Sequence, residues 1–403
     1  VADLACPRGV CVVYGVVDGR LALALARHSE YRIIGFTESE EALRASRQRL
    51  LEAGAYGAYG ARVTVHRVDS LAALPTPSGM ADVVVSESVL AGEMPGTAAE
   101  VYRLLRPDGG KAVLAVRRAG EEADTAPAER LRAWLAAGSL TSEFITSDAY
   151  VTASFTRGPL PGAGAWTHQY GDAGNTANSY DALLGATGTG DMQVQWLGRP
   201  GGDFGIDRNP RMPAPLAVRG MLFHQGMNRL AALNAFNGTL LWNLELPALR
   251  RVNMPRDASN WCADDGGLYV AMAGCCLQLD LATGAEKAVY TVPGEAGDLR
   301  PEWGTVMRSG TMLIGSSVSP GGHYTEYWGG AAWYDAKDGA DAAKVCGTRV
   351  FAYDLSTAPA ELAWQRPGVA IVESTISACA GRLYYMEGRA PALAGTPVGR
   401  VGN

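Results

Sequence analysis

Four short stretches in the first 90 residues put ligand-binding residue types where β-type runs end. Gly15-Val16-Val17-Asp18-Gly19 follows the apolar run Val10 to Tyr14 and precedes an Ala/Leu-rich stretch. Gly15 and Gly19 suit a tight turn, and Asp18 adds a carboxylate to it. Thr37-Glu38 follows the run Arg32 to Phe36, Asp69 ends the run from Arg62 to Val68, and Ser86-Glu87 closes the run from Ala81. Such a set gathers hydroxyls and carboxylates for a ligand. It contains no Gly-x-Ser-x-Gly elbow and no phosphate loop, and no catalytic residue is identified. The five histidines (His28, His66, His168, His224, His323) lack the two-turn helical spacing of a metal site. The seven cysteines match no zinc pattern, and no metal is expected.

The elements that would position these residues alternate. Helical stretches are expected at about 20–28, 39–53 and 97–105, and strands at 10–14, 32–36, 62–68, 81–86 and 111–117. Ser39 before Glu40-Glu41 offers an N-cap with acidic first-turn residues. Alternation of this kind implies a doubly wound parallel sheet covered on both faces, with ligands beyond the carboxyl ends of the strands. A further helix is expected over 118–136. The β-type residues 144–155 read either as the last strands of this sheet or as the start of the next module. Pro/Gly-rich residues 157–164 mark a boundary, giving domains of 1–160 and 161–403.

The order strand, Gly turn, helix, strand, Val68-Asp69, then Leu104-Leu105-Arg106-Pro107-Asp108-Gly109-Gly110 resembles the class I S-adenosylmethionine-dependent methyltransferases over roughly residues 5–120. The resemblance implies a Rossmann-like domain whose cofactor-binding residues are Gly15, Asp18, Gly19, Thr37, Glu38, Asp69, Ser86 and Glu87. It implies an acid near the end of the second strand for the ribose hydroxyls, and makes Asp69 the adenine-contacting acid. The chain departs from the family pattern at Val13, Val17 and Thr37. These stand where the family has an acid, a central glycine and the ribose acid. The S-adenosylmethionine site is therefore expected to be degenerate. Glu87 and Glu93 follow the fourth strand, where the family often handles substrate; solvated loop acids are the plainer reading.

The second half is repetitive. Segments starting at Arg229, Cys276 and Arg349 each read as strand, Asn/Asp turn, strand, with Asn234, Asp280 and Asp354 in the turns and Trp242 and Trp364 after two of them. The step from Asn234 to Asp280 lies within the ~40–50 residue period of propeller blades. Strands opened by Gly220, Gly267, Gly310 and Gly381 lie between. The pattern resembles the repeat of pyrroloquinoline-quinone-type β-propellers, and residues from Trp166 to Thr176 resemble their opening segment. The resemblance implies an all-β module of four-stranded blades, an incomplete ring, with an insertion near 319–346. In that family the Asn/Asp caps a turn and the Trp docks between blades. It does not imply the quinone, because the catalytic Asp and the calcium ligands of those enzymes are not identifiable here. Cys275-Cys276 reads as a buried pair of small residues.

A net charge of −6 gives no footprint for nucleic acid or anionic membrane, and no apolar run approaches the ~20 residues of a membrane span. With Val1 in place of Met and an abrupt end at Asn403, the chain reads as a fragment or processed form. Taken together, the expectation is a multidomain α/β plus all-β protein. Its first reading is a propeller-based binding or scaffold protein, taking a protein or small-molecule ligand on the propeller face and carrying a degenerate methyltransferase-like domain. The alternative is an active methyltransferase with the propeller as docking module, and behind it a quinone-dependent dehydrogenase. The propeller favours an extracytoplasmic location, and an active methyltransferase a cytoplasmic one.

Overall fold

The computed structural model describes residues 8–54, 60–118, 126–182, 187–198, 213–226, 228–247, 249, 260–294, 301–318 and 346–388. Two compact units emerge. The first holds 1–161 with 186–197 and 235–239, and the second holds the remainder.

The first unit begins β1 (Val10–Tyr14), α1 (Arg20–His28), β2 (Arg32–Thr37), α2 (Glu40–Glu52) and β3 (Val63–Arg67). It continues β4 (Val83–Val85), α3 (Glu87–Leu90), α4 (Ala98–Leu104), β5 (Lys111–Arg117), α5 (Ala126–Ala137), β6 (Glu143–Thr146) and β7 (Tyr150–Thr156). These strands form one seven-stranded sheet ordered β3-β2-β1-β4-β5-β7-β6, parallel from β3 to β5 and antiparallel at β7 and β6. Residues 144–155 thus belong to this sheet, which resolves the two readings left by the sequence. The helix expected over 118–136 is α5, and residues 119–125 lie outside the described set.

Every side chain of β1 is buried, as a strand covered on both faces requires. Val12, Tyr14, Val84 and Leu114 pack under α4 and α5, while Cys11, Val13, Ile33 and Val65 pack on the other face with α1 and α2. Ser39, Ser86 and Thr97 cap α2, α3 and α4, their hydroxyls accepting from Ala42, Val89 and Glu100 N–H at 3.2, 3.1 and 3.2 Å. The strand order reverses between β1 and β4, so a crevice opens where the chain leaves these strands.

Among the described residues, the regular elements of the second unit are all β-strands; one 3-10 turn at Thr189–Asp191 belongs to the first unit. Strands β8 (Leu216–Val218), β9 (Met221–Gly226), β10 (Arg229–Asn234) and β11 (Leu240–Glu245) make one antiparallel sheet. A second is β12 (Trp261–Asp264), β13 (Gly267–Met272), β14 (Cys275–Leu279) and β15 (Glu286–Thr291). The third has five strands: β16 (Glu302–Ser309), β17 (Met312–Val318), β18 (Gly347–Asp354), β19 (Glu361–Cys379) and β20 (Arg382–Glu387). The three repeated segments are the third strands, β10, β14 and β18, and glycine-opened runs are β9, β13, β17 and β20. Asp280 Oδ1 accepts from the N–H groups of Ala282 and Thr283 at 3.1 and 3.0 Å, and Asp354 Oδ1 from Ser356 N–H at 2.9 Å.

Trp242 is 7% exposed; its indole N–H donates to Leu281 O at 2.8 Å in the turn of the second sheet. Gly284 lies against the ring so closely that a Cβ there would sit 2.8 Å from it. Trp364 stands opposite Ala352 as Trp242 stands opposite Ala232, but it is 36% exposed. The segment from Trp166 reaches the first strand of each sheet in turn. Trp166 bridges to Ala217, Thr167 O accepts from Ala263 N at 2.9 Å, and His168 Nε2 accepts from Arg308 N at 3.1 Å. Further on, Ala173 O accepts from Ala378 N at 2.7 Å and the Asn175 amide donates to Ile376 O at 3.0 Å. The insertion around 319–346, with its aromatic residues and His323, lies outside the described residues except for Cys346. No helix among the described residues is long and apolar enough to cross a membrane, and none of their His, Cys, Asp or Glu side chains cluster as a metal site.

Candidate functional site

A cleft of about 620 Å³ opens at the ends of β1 and β2 and before α3 and α4. Its floor is the turn Gly15 to Asp18. Its walls are Thr37, Glu38, Ser39, Glu41, Ala42 and Ala45 on one side, and Leu71, Ser88 and Glu93 to Gly96 on the other. Gly15 and Gly19 take φ of +76° and +80°, backbone that favours glycine. A Cβ on Gly15 would also lie 2.5 Å from Ser88 Oγ. Val17, standing where the resemblance implies glycine, is 40% exposed and directs no bulk into the core.

Among the described residues the lining is acidic: Asp18, Glu38, Glu41 and Glu93, with the hydroxyls of Thr37, Ser39 and Ser88 and no Lys, Arg or His. Asp18 is held by Arg20 at 3.0 Å and Arg49 at 3.3 Å. Glu38 Oε1 accepts from Leu71 N at 2.6 Å, so this carboxylate turns toward the cleft wall. Thr37 is buried, and its Oγ1 accepts from Ser39 N at 3.2 Å. Tyr14, unnoticed in the sequence, braces the floor: its hydroxyl donates to Leu71 O and accepts from Thr97 N at 3.1 Å. Burial pushes the Tyr14 phenol up to about 12.

Of the eight residues expected to bind a cofactor, Gly15, Asp18, Thr37 and Glu38 line this cleft. Gly19 lies under it against Ser46. Asp69 points to solvent, its carboxylate 3.8 Å from Arg67. Ser86 is the buried cap of α3. Glu87, 6% exposed, does something sequence reasoning missed. Its Oε2 accepts from Val17, Asp18 and Gly19 N–H at 2.7, 3.1 and 3.0 Å, and its Oε1 from Leu21 N–H at 2.9 Å. An acid inside the run Val83-Val84-Val85-Ser86-Glu87-Ser88-Val89 was the available signal, because a carboxylate among apolar residues needs donors.

Residues 12–109 match the family model described as a methyltransferase domain, so the first unit is methyltransferase-like and Rossmann-like. Among solved structures, the chain is similar to a Methanococcus maripaludis protein assigned to the S-adenosyl-L-methionine-dependent methyltransferases. That likeness is at 19% identity, covering 40% of this chain and 82% of that one, with a TM-score of 0.32. A SAM-dependent methyltransferase from Aquifex aeolicus is 15% identical over 38% of this chain and 84% of its own, with a TM-score of 0.30. The [4+2]-cyclase SpnF is 18% identical over 39% and 77%, also at 0.30. No curated protein matches the chain.

Proposed function

We propose that the first unit binds S-adenosylmethionine in the cleft between the Gly15–Gly19 turn and Glu93, and that the second is a β-propeller serving as a binding module. The carrying observation is the cleft itself. It stands at the switch point of the sheet, its volume is that of a small-molecule site, and the titratable side chains among its described lining residues are all carboxylates. S-adenosylmethionine carries a sulfonium, an ammonium group, a carboxylate and a ribose diol; such a lining suits the two cationic groups and the diol. Glu38 and Thr37 would hold the ribose hydroxyls, and Asp18 and Glu93 would face the cationic end. The bound sulfonium supplies an activated methyl group, so the protein's task is alignment rather than activation. Among the described residues the cleft offers neither imidazole nor thiol for a proton shuttle.

The propeller reading is supported by three antiparallel sheets repeating one strand pattern, by Trp242 seated on the neighbouring turn, and by Trp166, Thr167 and His168 touching the first strand of each sheet in turn. A second reading, a binding protein whose first unit keeps the fold without the ligand, is favoured by Thr37 in place of the ribose acid. Thermal melting separates the two. S-adenosylmethionine at a hundred times its Kd should stabilise the first unit by about 2.7 kcal/mol. An unchanged melting curve at millimolar ligand would leave the second reading.

A further inference from the structure

We propose that Glu87 is the specificity-determining residue of this cleft: its carboxylate fills the amide donors of the Gly15–Gly19 turn and so closes the site to phosphate-bearing ligands. The inference rests on the cleft being a nucleoside site, as proposed above, and adds which nucleosides it refuses.

The start of a helix after a glycine turn ordinarily leaves free N–H groups and a positive dipole end, the arrangement that holds phosphate in dinucleotide-binding folds. From Gly15 to Leu21 every such donor is already engaged. Gly15 and Val16 N–H donate to Phe36 O at 3.1 and 2.8 Å. Val17, Asp18, Gly19 and Leu21 N–H donate to Glu87, and Arg20 N–H donates to Asp18 Oδ1 at 3.1 Å. Three of these bonds fall on Oε2 and one on Oε1, so the carboxylate is held through both oxygens and the turn has nothing left to give. The charge sits on the α1 dipole and is satisfied without a cation. An entering phosphate would meet this fixed negative charge and the acidic walls, with no donor in exchange. A cationic or hydroxyl-bearing ligand meets no such conflict, since it is held by side chains rather than by the turn.

The test uses the full chain, its Glu87→Ala variant and its Glu87→Gln variant, titrated by calorimetry with S-adenosylmethionine and with ADP. Thermal melting checks folding. ADP should give no heat with the unaltered protein and should bind Glu87→Ala at least about tenfold more tightly, as expected when charge-assisted donors are freed. Acetate should compete with ADP in Glu87→Ala and have no effect on the unaltered protein, a readout that a merely structural role would not move. If Glu87→Ala does not fold, Glu87→Gln carries the test, because the neutral amide removes the repelling charge and satisfies fewer donors. ADP binding equally to all three proteins, or gained by neither variant, overturns the inference. ADP gained by a variant while the unaltered protein ignores S-adenosylmethionine leaves Glu87 in this role and refutes the proposed cofactor instead.

Discussion

Glu373 on β19 should make the second unit lose stability as pH rises through neutrality. Its side chain is 1% exposed and lies in the interior of the third sheet. Ser316 Oγ donates to Oε1 at 2.6 Å and Thr305 Oγ1 to Oε2 at 3.3 Å. Gly304 and Gly347 leave it room, since a Cβ on either would approach its oxygens within 2.5 to 2.7 Å. Among the described residues, the polar groups around it include His168, Gln169 and Asn175 across a cavity of about 20 Å³, with Cys346 nearby; none of these supplies a positive charge at neutral pH. Burial, opposed by the two hydroxyls, pushes the carboxyl from 4.5 up to about 8. The folded protein therefore keeps a proton that the unfolded chain releases. Below pH 4.5 both states hold it and the contribution is complete. From there to about 8 stability falls by about 1.4 kcal/mol per pH unit, on the order of 5 kcal/mol in all, and above 8 the loss is complete. His168, whose imidazole is held down to about 4 by burial, acts oppositely: it removes stability as pH drops from 6.5 toward 4. Among the described groups with a shifted pKa, Glu373 is thus the one that acts across the interval from 6.5 to 8. Urea unfolding followed by the fluorescence of buried Trp261 and Trp303 measures it. Glu373→Gln should flatten the slope and exceed the parent in stability at pH 8.5. A parent curve already flat between 6.5 and 8, with the variant no more stable, would refute the reasoning.

Trp242→Ala should cost about 3–5 kcal/mol, seen as a lowered melting transition of the second unit, because it empties the space against Gly284 and removes the bond to Leu281 O. Thr37→Asp should tighten S-adenosylmethionine binding by about tenfold in calorimetry, by placing a carboxylate where the resemblance implies the ribose acid. Gly19→Ala should destabilise the first unit by about 1–2 kcal/mol in urea unfolding, since φ is +80° and the added Cβ would lie 3.0 Å from the Ser46 backbone.

The elements of the first unit were legible because each carries a local signal. The apolar runs became β1 to β5, Ser39 capped α2, and Gly15 and Gly19 took the left-handed conformation that the turn needs. The Arg106–Gly110 break before β5 was equally plain. In the second unit the repeated segments fell on equivalent strands, and Asp280 and Asp354 capped their turns. What stayed hidden depends on contacts between distant residues. Glu87 meets the Gly turn from 66 to 70 positions away, and neither stretch alone reveals the pairing. Asp69 read as a site residue by position but faces solvent, because a residue just past a strand end is free to turn outward. Glu373 stands between Ile371-Val372 and Ser374-Thr375, a stretch that does not by itself place the carboxyl inside; the packing of β16, β17 and β18 around it does.

The central claim, that the cleft of the first unit takes S-adenosylmethionine, is tested most directly by calorimetric titration of the cofactor into the full chain and into Val17→Trp. Val17 is a half-exposed lining residue, so the larger ring fills the cleft without disturbing the core. Binding at micromolar strength in the parent, lost in the variant, is the predicted result. No heat at millimolar cofactor, or equal binding to both proteins, would contradict it.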